Sequence, residues 1–163
     1  MESSRELNDY ERELLANVAE RGFQVTTVFA SDDFPTFSYS IGFPATVGQG
    51  EVITIGLHSD AAYGLIEETL NQCRDGLVLR DGLILDGTLG DYPVVVKVIP
   101  ADRITKERFN SAMWFHDYRY GTPLTEAFQL VWPCEVTRLF PWDAECPDDV
   151  ISDQPLLFEQ SVH

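Results

Sequence analysis

Basic side chains are scarce in this sequence. Its 163 residues include 11 lysines and arginines against 27 aspartates and glutamates, which gives a formal net charge of −16. Proteins that bind nucleic acid or an anionic membrane need a surface rich in lysine and arginine, so we expect neither partner. The shortage is concentrated in residues 22–73 and 139–163, which contain no basic residue at all. Such a field favours a basic protein partner, or it serves only to keep the protein soluble.

Cysteines and long apolar runs are also few. The three cysteines, Cys73, Cys134 and Cys146, form no CxxC pair, which is typical of a protein in a reducing compartment. No apolar stretch approaches the roughly 20 residues that span a bilayer. The N-terminus is charged throughout and lacks the apolar core of a signal peptide. We therefore expect a soluble, cytoplasmic protein.

Standard catalytic, cofactor and metal motifs are missing. The glycines of Gly48-Gln49-Gly50 lack the third glycine of a dinucleotide loop, and there is neither a GxSxG nor an HExxH sequence. The histidines His58, His116 and His163 have no metal-ligand spacing. We therefore expect no metal and no cofactor, and we favour a protein that is not an enzyme. A thiol–imidazole pair of Cys134 with His116 would require the fold to bring the two side chains together.

The apolar pattern predicts one α+β domain over residues 1–163, with a mainly antiparallel sheet of about six or seven strands and about three helices. The first helix is expected to start at a capping box of Ser3 and Glu6 and to stop at Gly22. The other predicted helices cover 59–73 and 105–116. The predicted strands cover 23–29, 36–42, 51–57, 77–85 with a hairpin turn at 81–82, 94–99 and 125–132.

Residues 139–163 form an irregular, proline-rich, acidic tail that we expect to pack on the domain. Trp132, Phe140 and Trp142 lie close together around two prolines at its start. These aromatic side chains pack back over the sheet, wall a pocket, or anchor a protein interface. The sequence leaves these three alternatives open.

Recognisable motifs lie towards both ends of the chain, in the stretches 20–28, 37–43, 51–57, 128–133, 140–142 and 154–157. Together they resemble a bacterial family known as domain of unknown function 4262. The resemblance implies the α+β fold and a bacterial or phage origin, but it implies no activity. Two positions depart from the family pattern: Gln49 stands where a histidine is usual, and Cys134 replaces the aspartate after Trp-Pro. If those polar residues serve an activity, this chain has altered it; if they only close turns, nothing changes.

Three functions fit these observations. The acidity and the missing motifs favour a non-enzymatic protein-binding module, such as an immunity protein or inhibitor that neutralises a basic toxin or nuclease. The alternative is a small-molecule site or enzyme, by analogy flavin-like, with a pocket near Tyr39, Glu51 and Trp132. A third hypothesis is a homo-oligomer formed through the aromatic tail. The candidate binding residues are Asp32, Asp33, Tyr39, Glu51, His58, Trp132, Trp142, Asp143 and Glu145.

Overall fold

The computed structural model describes residues 6–158 as a single α+β domain built around a six-stranded sheet. The strand order is β1-β2-β3-β6-β5-β4. Neighbouring strands are antiparallel except β3 and β6, which run parallel at the centre, so the expectation of a mainly antiparallel sheet is confirmed. The strands are β1 (Gln24–Val28), β2 (Phe37–Ile41), β3 (Glu51–Ile55), β4 (Ile84–Leu89), β5 (Tyr92–Val98) and β6 (Ala127–Val131).

Three long helices correspond to the three that the sequence predicts, and two short helices were not predicted. Within residues 6–158, none of the helices has the length and apolarity needed to cross a bilayer. The long helices are α1 (Asp9–Arg21), α3 (Ser59–Arg74) and α4 (Lys106–Tyr120), and the short ones are α2 (Phe43–Val47) and α5 (Asp148–Asp153).

The start of α1 differs from the prediction. A capping box of Asn8 and Glu11 begins the helix, because the Asn8 side chain accepts from the Glu11 amide while the Glu11 carboxylate accepts from the Asn8 amide. The helix therefore does not begin at Ser3 and Glu6, and Ser3 itself lies outside the described residues. Gly22 ends the helix in the left-handed conformation, as the sequence predicts.

Helices cover both faces of the sheet. Alternate residues of β3 point into different cores: Ile53 packs with α1 and α4, whereas Val52 packs with α3. This arrangement explains why β2, β3 and β6 are buried at every position. It also leaves little room for a ligand in the middle of the sheet, so a ligand site is expected at the strand ends.

The predicted hairpin at 77–85 is wrong. The observed hairpin joins β4 to β5 and turns around Gly90 and Asp91, whereas residues 77–83 belong to no strand. Gln49 holds the earlier segment instead: its side-chain nitrogen donates to the Leu77 carbonyl (2.7 Å) and its side-chain oxygen accepts from the Leu79 amide (2.6 Å). The residue that replaces the usual family histidine thus has a structural role in this chain.

Candidate functional site

The parallel strands β3 and β6 end at the same edge of the sheet, where α5 packs closely on them. The Trp132 indole nitrogen donates to the Ile55 carbonyl at 2.7 Å, which links the two strand ends. Gly56 follows with a φ of 95°, in the left-handed region. A Cβ atom at this position would lie 2.9 Å from the Trp132 ring and would overlap the Asp153 carbonyl oxygen. The close packing of α5 on this edge therefore requires glycine.

Two fully buried glutamines attach the C-terminal segment, residues 148–157, to β6. Gln154 accepts from the Trp132 amide (3.0 Å) and donates to the Trp132 carbonyl (2.8 Å). Gln129 donates to the Pro155 carbonyl (2.9 Å) and accepts from the Leu157 amide (2.8 Å). Each side-chain amide takes the place of a neighbouring strand's peptide group. The tail predicted as irregular thus contains a helix and is held by these buried hydrogen bonds.

A cleft of about 680 Å³ opens at this edge between the β1–β2 loop, the start of α3 and the end of α5. Three predicted candidates, Asp32, Asp33 and His58, line it together with Asp153, which sequence reasoning missed. Among the described residues that form its wall there is no lysine or arginine. The fold thus places carboxylates from two distant base-free segments, 22–73 and 139–163, around one opening.

The cleft offers acceptors together with apolar contact. Asp32, Asp33 and Asp153 are solvent-exposed, so their carboxylates are hydrated and available to a cation. Phe29, also in the lining, is 74 % exposed, and Ile151 in α5 is 42 % exposed. Exposed aromatic and aliphatic side chains beside charges are typical of a protein-recognition surface.

His58 is the N-cap of α3 at the cleft wall. Its Nδ1 atom accepts from the Asp60 amide at 3.2 Å, and the Asp60 carboxylate lies 3.9 Å from the same nitrogen. The histidine side chain is 77 % exposed. In its neutral form Nδ1 is thus an acceptor and Nε2 carries the proton, so His58 adds a donor to the serine and threonine hydroxyls of the cleft wall.

Tyr39 lies in the core and not in the cleft. Its hydroxyl accepts from the Ser111 amide at 3.0 Å, and the Ser111 hydroxyl pairs with the Tyr10 hydroxyl at 2.7 Å. Burial raises the pKa of Tyr39. These contacts join β2, α4 and α1, so the role of Tyr39 in this fold is structural.

Glu51 is fully buried at the start of β3, the end of the strand away from the cleft. Its carboxylate accepts from the Ser40 hydroxyl (2.7 Å) and from the amides of Gly42 (2.8 Å) and Phe43 (3.1 Å). Burial raises the pKa of Glu51 to about 7, while these three hydrogen bonds act in the opposite direction. The carboxylate therefore satisfies the amides at the start of α2. Because Glu51 and Trp132 lie at opposite ends of the sheet, they do not form a common pocket with Tyr39.

Of the remaining candidates, Trp142 lies near β5, and Asp143 and Glu145 follow it in the tail. Trp142 stacks on Phe140 with a ring separation of 5.2 Å, and the Lys97 ammonium group lies 6.0 Å from the Trp142 ring. Asp143 accepts from the Phe140 amide at 2.8 Å, which closes a turn, and Glu145 is exposed. The aromatic tail thus packs back over the sheet through a cation–π contact, although Trp142 stays 43 % exposed.

Among residues 6–158, neither the pairing of Cys134 with His116 nor a cluster of metal ligands is present. His116 bonds to the Thr122 carbonyl (2.9 Å) before β6 begins, whereas Cys134 follows the end of β6, so the two do not pair. Across residues 6–158, no three histidine, cysteine, aspartate or glutamate side chains are grouped to hold a metal ion.

The residues that sequence reasoning missed are mainly Gln129, Gln154 and Asp153. Both glutamines lie inside the stretches 128–133 and 154–157, which the sequence analysis had already singled out for their resemblance to a family. The family resemblance could therefore have pointed to both glutamines. Nothing in the local sequence points to Asp153, because its place in the cleft depends on how Gln154 attaches the tail.

The chain matches the family described as domain of unknown function DUF4262 over residues 17–147. No curated protein and no solved structure gives a significant match. The family match ends before α5, so one wall of the cleft lies outside it. It nevertheless includes all six strands and most of the chain, and this protein therefore belongs to the DUF4262 family.

Proposed function

We propose that this protein is a binding module that receives a positively charged segment of a partner protein in the cleft at the ends of β3 and β6. The observation that carries the proposal is the composition of the cleft wall. Its charged groups are Asp32, Asp33 and Asp153, its only other titratable side chain among the described residues is His58, and an exposed Phe29 borders them. Arginine and lysine side chains match such a surface, because they combine a charge with an apolar stem.

The size of the cleft supports a peptide segment or a loop as the occupant. A volume of about 680 Å³ accommodates two or three side chains of a partner rather than a whole domain. Each exposed ion pair contributes only about 0–1 kcal/mol, so the carboxylates alone do not give high affinity. The net charge of −16 acts differently, because it accelerates the encounter with a basic partner.

A basic toxin or nuclease fits this description as the partner. Carboxylates at the cleft would occupy a cationic groove in the place of phosphate groups, which is how an immunity protein or inhibitor would neutralise such an enzyme. The proposal of a basic toxin or nuclease as the partner rests on the net charge of −16 together with the acidic composition of the cleft.

The test uses a short synthetic peptide in which arginines alternate with leucines, titrated into the full chain and followed by amide NMR shifts. We expect shifts concentrated in residues 29–36, 56–59 and 151–153, and an affinity that falls as salt is added because screening weakens exposed charges. A matching peptide with glutamates for arginines should not bind. Shifts spread evenly over the acidic surface, or salt-independent binding, would contradict the proposal.

Two double variants separate the effect of the cleft carboxylates on binding from the effect of the protein's overall negative charge. Asp32→Asn with Asp153→Asn removes two charges from the cleft, and we expect about 3- to 10-fold weaker binding. Glu67→Gln with Asp86→Asn removes two exposed charges elsewhere and should change binding much less. Equal loss in both variants would show that net charge, and not the cleft, determines binding.

A further inference from the structure

We propose that Cys134 and Cys146 form a reversible disulfide that fastens the C-terminal segment, residues 148–157, to the end of β6. Both cysteines contact the carbonyl oxygen of Leu139: the Cys134 amide donates to it at 2.8 Å and the Cys146 thiol approaches it at 3.9 Å. The two residues therefore flank one oxygen atom. The turn after Cys134, residues 135–138, is exposed, so the shift that bonding geometry requires falls on a surface turn, although the two cysteines themselves are buried.

Cys134 is the better nucleophile of the pair. The Arg138 amide donates to the Cys134 carbonyl at 2.9 Å and closes a single helical turn with Cys134 at its N-terminal position. The hydroxyl and amide of Thr137, with the amide of Val136, stabilise the sulfur as an acceptor and lower the pKa of Cys134. An N-cap residue accepts hydrogen bonds from the same amides, so the thiolate acts here as a cap.

Cys146 is suited to attack the Cys134 sulfur once that sulfur has formed a mixed disulfide. Its pKa is raised by burial first and then by the neighbouring sulfur of Cys134 and the nearby carboxylates, Asp143 among them. The contacts of both residues with the Leu139 carbonyl oxygen place them close together. Such a thiol stays protonated while Cys134 reacts with a small-molecule disulfide. It can then attack the mixed disulfide on Cys134 and displace the small-molecule thiol.

The third cysteine provides an internal control. Cys73 is no more exposed than Cys134 and Cys146 (7 % against 6 % each), but it lies in the apolar core under α3, and burial raises its pKa to about 11. We therefore expect it to stay reduced under conditions that oxidise the other two.

The oxidant we assign is a small-molecule disulfide such as oxidised glutathione. The Cys134 thiolate attacks one of its sulfurs, forming a mixed disulfide and releasing one glutathione thiolate. Cys146 loses its proton and attacks the Cys134 sulfur, which releases the second glutathione thiolate. Two protein thiols are oxidised, one external disulfide is reduced to two thiols, and the two protons end on glutathione.

The disulfide would stabilise one wall of the candidate cleft. The closed ring spans 134–146, and α5 begins two residues after it. Since α5 carries Asp153 into the cleft wall, the bond restricts the unfolding of that wall. This consequence follows from the fold whether or not the cleft binds a basic partner.

The experiment incubates the full, unaltered chain with oxidised glutathione, blocks the remaining thiols by alkylation, and digests it with trypsin without reduction. Trypsin cleaves after Arg138, which separates the two cysteines, so the disulfide joins peptide 120–138 to the peptide that begins at Leu139. We expect this linked pair, an intact mass lower by about 2 Da before alkylation, and Cys73 alkylated. Three alkylated cysteines, a link to Cys73, or separate glutathione adducts on both residues would overturn the proposal.

Single variants test the order of the steps. Cys146→Ser should accumulate a glutathione adduct of about 305 Da on Cys134, whereas Cys134→Ser should acquire adducts far more slowly. Cys73→Ser should form the disulfide as the unaltered chain does.

Oxidation should slow proteolysis after Leu156 and Leu157 in the unaltered chain but not in Cys146→Ser. Equal proteolysis of both redox forms would overturn the fastening role, and the peptide map decides the bond even if a variant fails to fold.

Discussion

Replacing Glu51 with glutamine should change how the stability of this protein depends on pH. Burial raises the pKa of this carboxyl group from 4.5 to about 7 in the folded chain, whereas in the unfolded chain it is exposed and titrates near 4.5. Between these values the folded protein binds a proton that the unfolded chain has lost. The resulting stability is fully present below about pH 4.5 and is lost as the pH rises through about 7.

The size of the effect follows from the shift. One pKa unit corresponds to about 1.4 kcal/mol, so the full contribution is about 3 kcal/mol, most of which lies between pH 5 and pH 8. The glutamine variant cannot titrate at this position. Its side chain also loses one acceptor oxygen beside the amides of Gly42 and Phe43, which costs about 1–3 kcal/mol at any pH.

The assay is urea unfolding followed by tryptophan fluorescence for the unaltered chain and Glu51→Gln at several pH values from about 5 to 8. All other titrating groups are shared, so they cancel in the difference between the two free energies of unfolding. We expect the advantage of the unaltered chain to shrink by about 2 to 3 kcal/mol as the pH rises. The exposed Glu67→Gln should show a constant difference. A constant or growing advantage over Glu51→Gln would refute the reasoning, because the three hydrogen bonds would then outweigh burial.

Three further substitutions test the attachment of the tail. Gly56→Ala should destabilise the fold by more than about 2 kcal/mol in urea unfolding, because its Cβ would collide with the Asp153 carbonyl and the residue has a positive φ. Gly64→Ala, the matched control inside α3, meets no atom within 4 Å and should stabilise the fold by about 0.5–1 kcal/mol. Gln154→Ala leaves the amide and carbonyl of Trp132 unpaired, so it should cost about 2–4 kcal/mol and expose the tail to proteolysis. Wild-type resistance in that variant would show that water replaces the lost hydrogen bonds.

Much of the fold could be predicted from the sequence, because its local signals agree with the tertiary structure. The helical spacing of Leu14 and Val18 and the stop at Gly22 identified α1, and alternation identified β1 and β2. A uniformly apolar run identified β5, within two residues at its ends. The patterns were enough to locate these elements, but not their burial: β2 is buried on both faces, and β5 is fully buried only at Val94 and Val96.

The remaining elements depend on distant residues. The Asp81-Gly82 pair favours a hairpin locally, but the Asp81 carboxylate instead accepts from the Val98 amide across the sheet at 2.9 Å. The helix α2 follows glycine and proline signals typical of a loop, and buried Glu51 satisfies its first amides. The candidate cleft was only half predicted for the same reason: Asp153 reaches it through the attachment of Gln154 to β6.

The parallel pairing of β3 with β6 also determines the order in which the sheet can be completed during synthesis. The Thr54 hydroxyl donates to the Leu130 carbonyl, a partner 76 positions later in the chain. Strands β1 to β3 therefore leave the ribosome with the apolar β3 edge open until β6 emerges, and an open edge of this kind invites pairing with another nascent chain. Residues 22–73 carry six carboxylates and no basic group, so two such intermediates repel each other. The acidity of this segment thus protects the unfinished sheet before the mature surface exists.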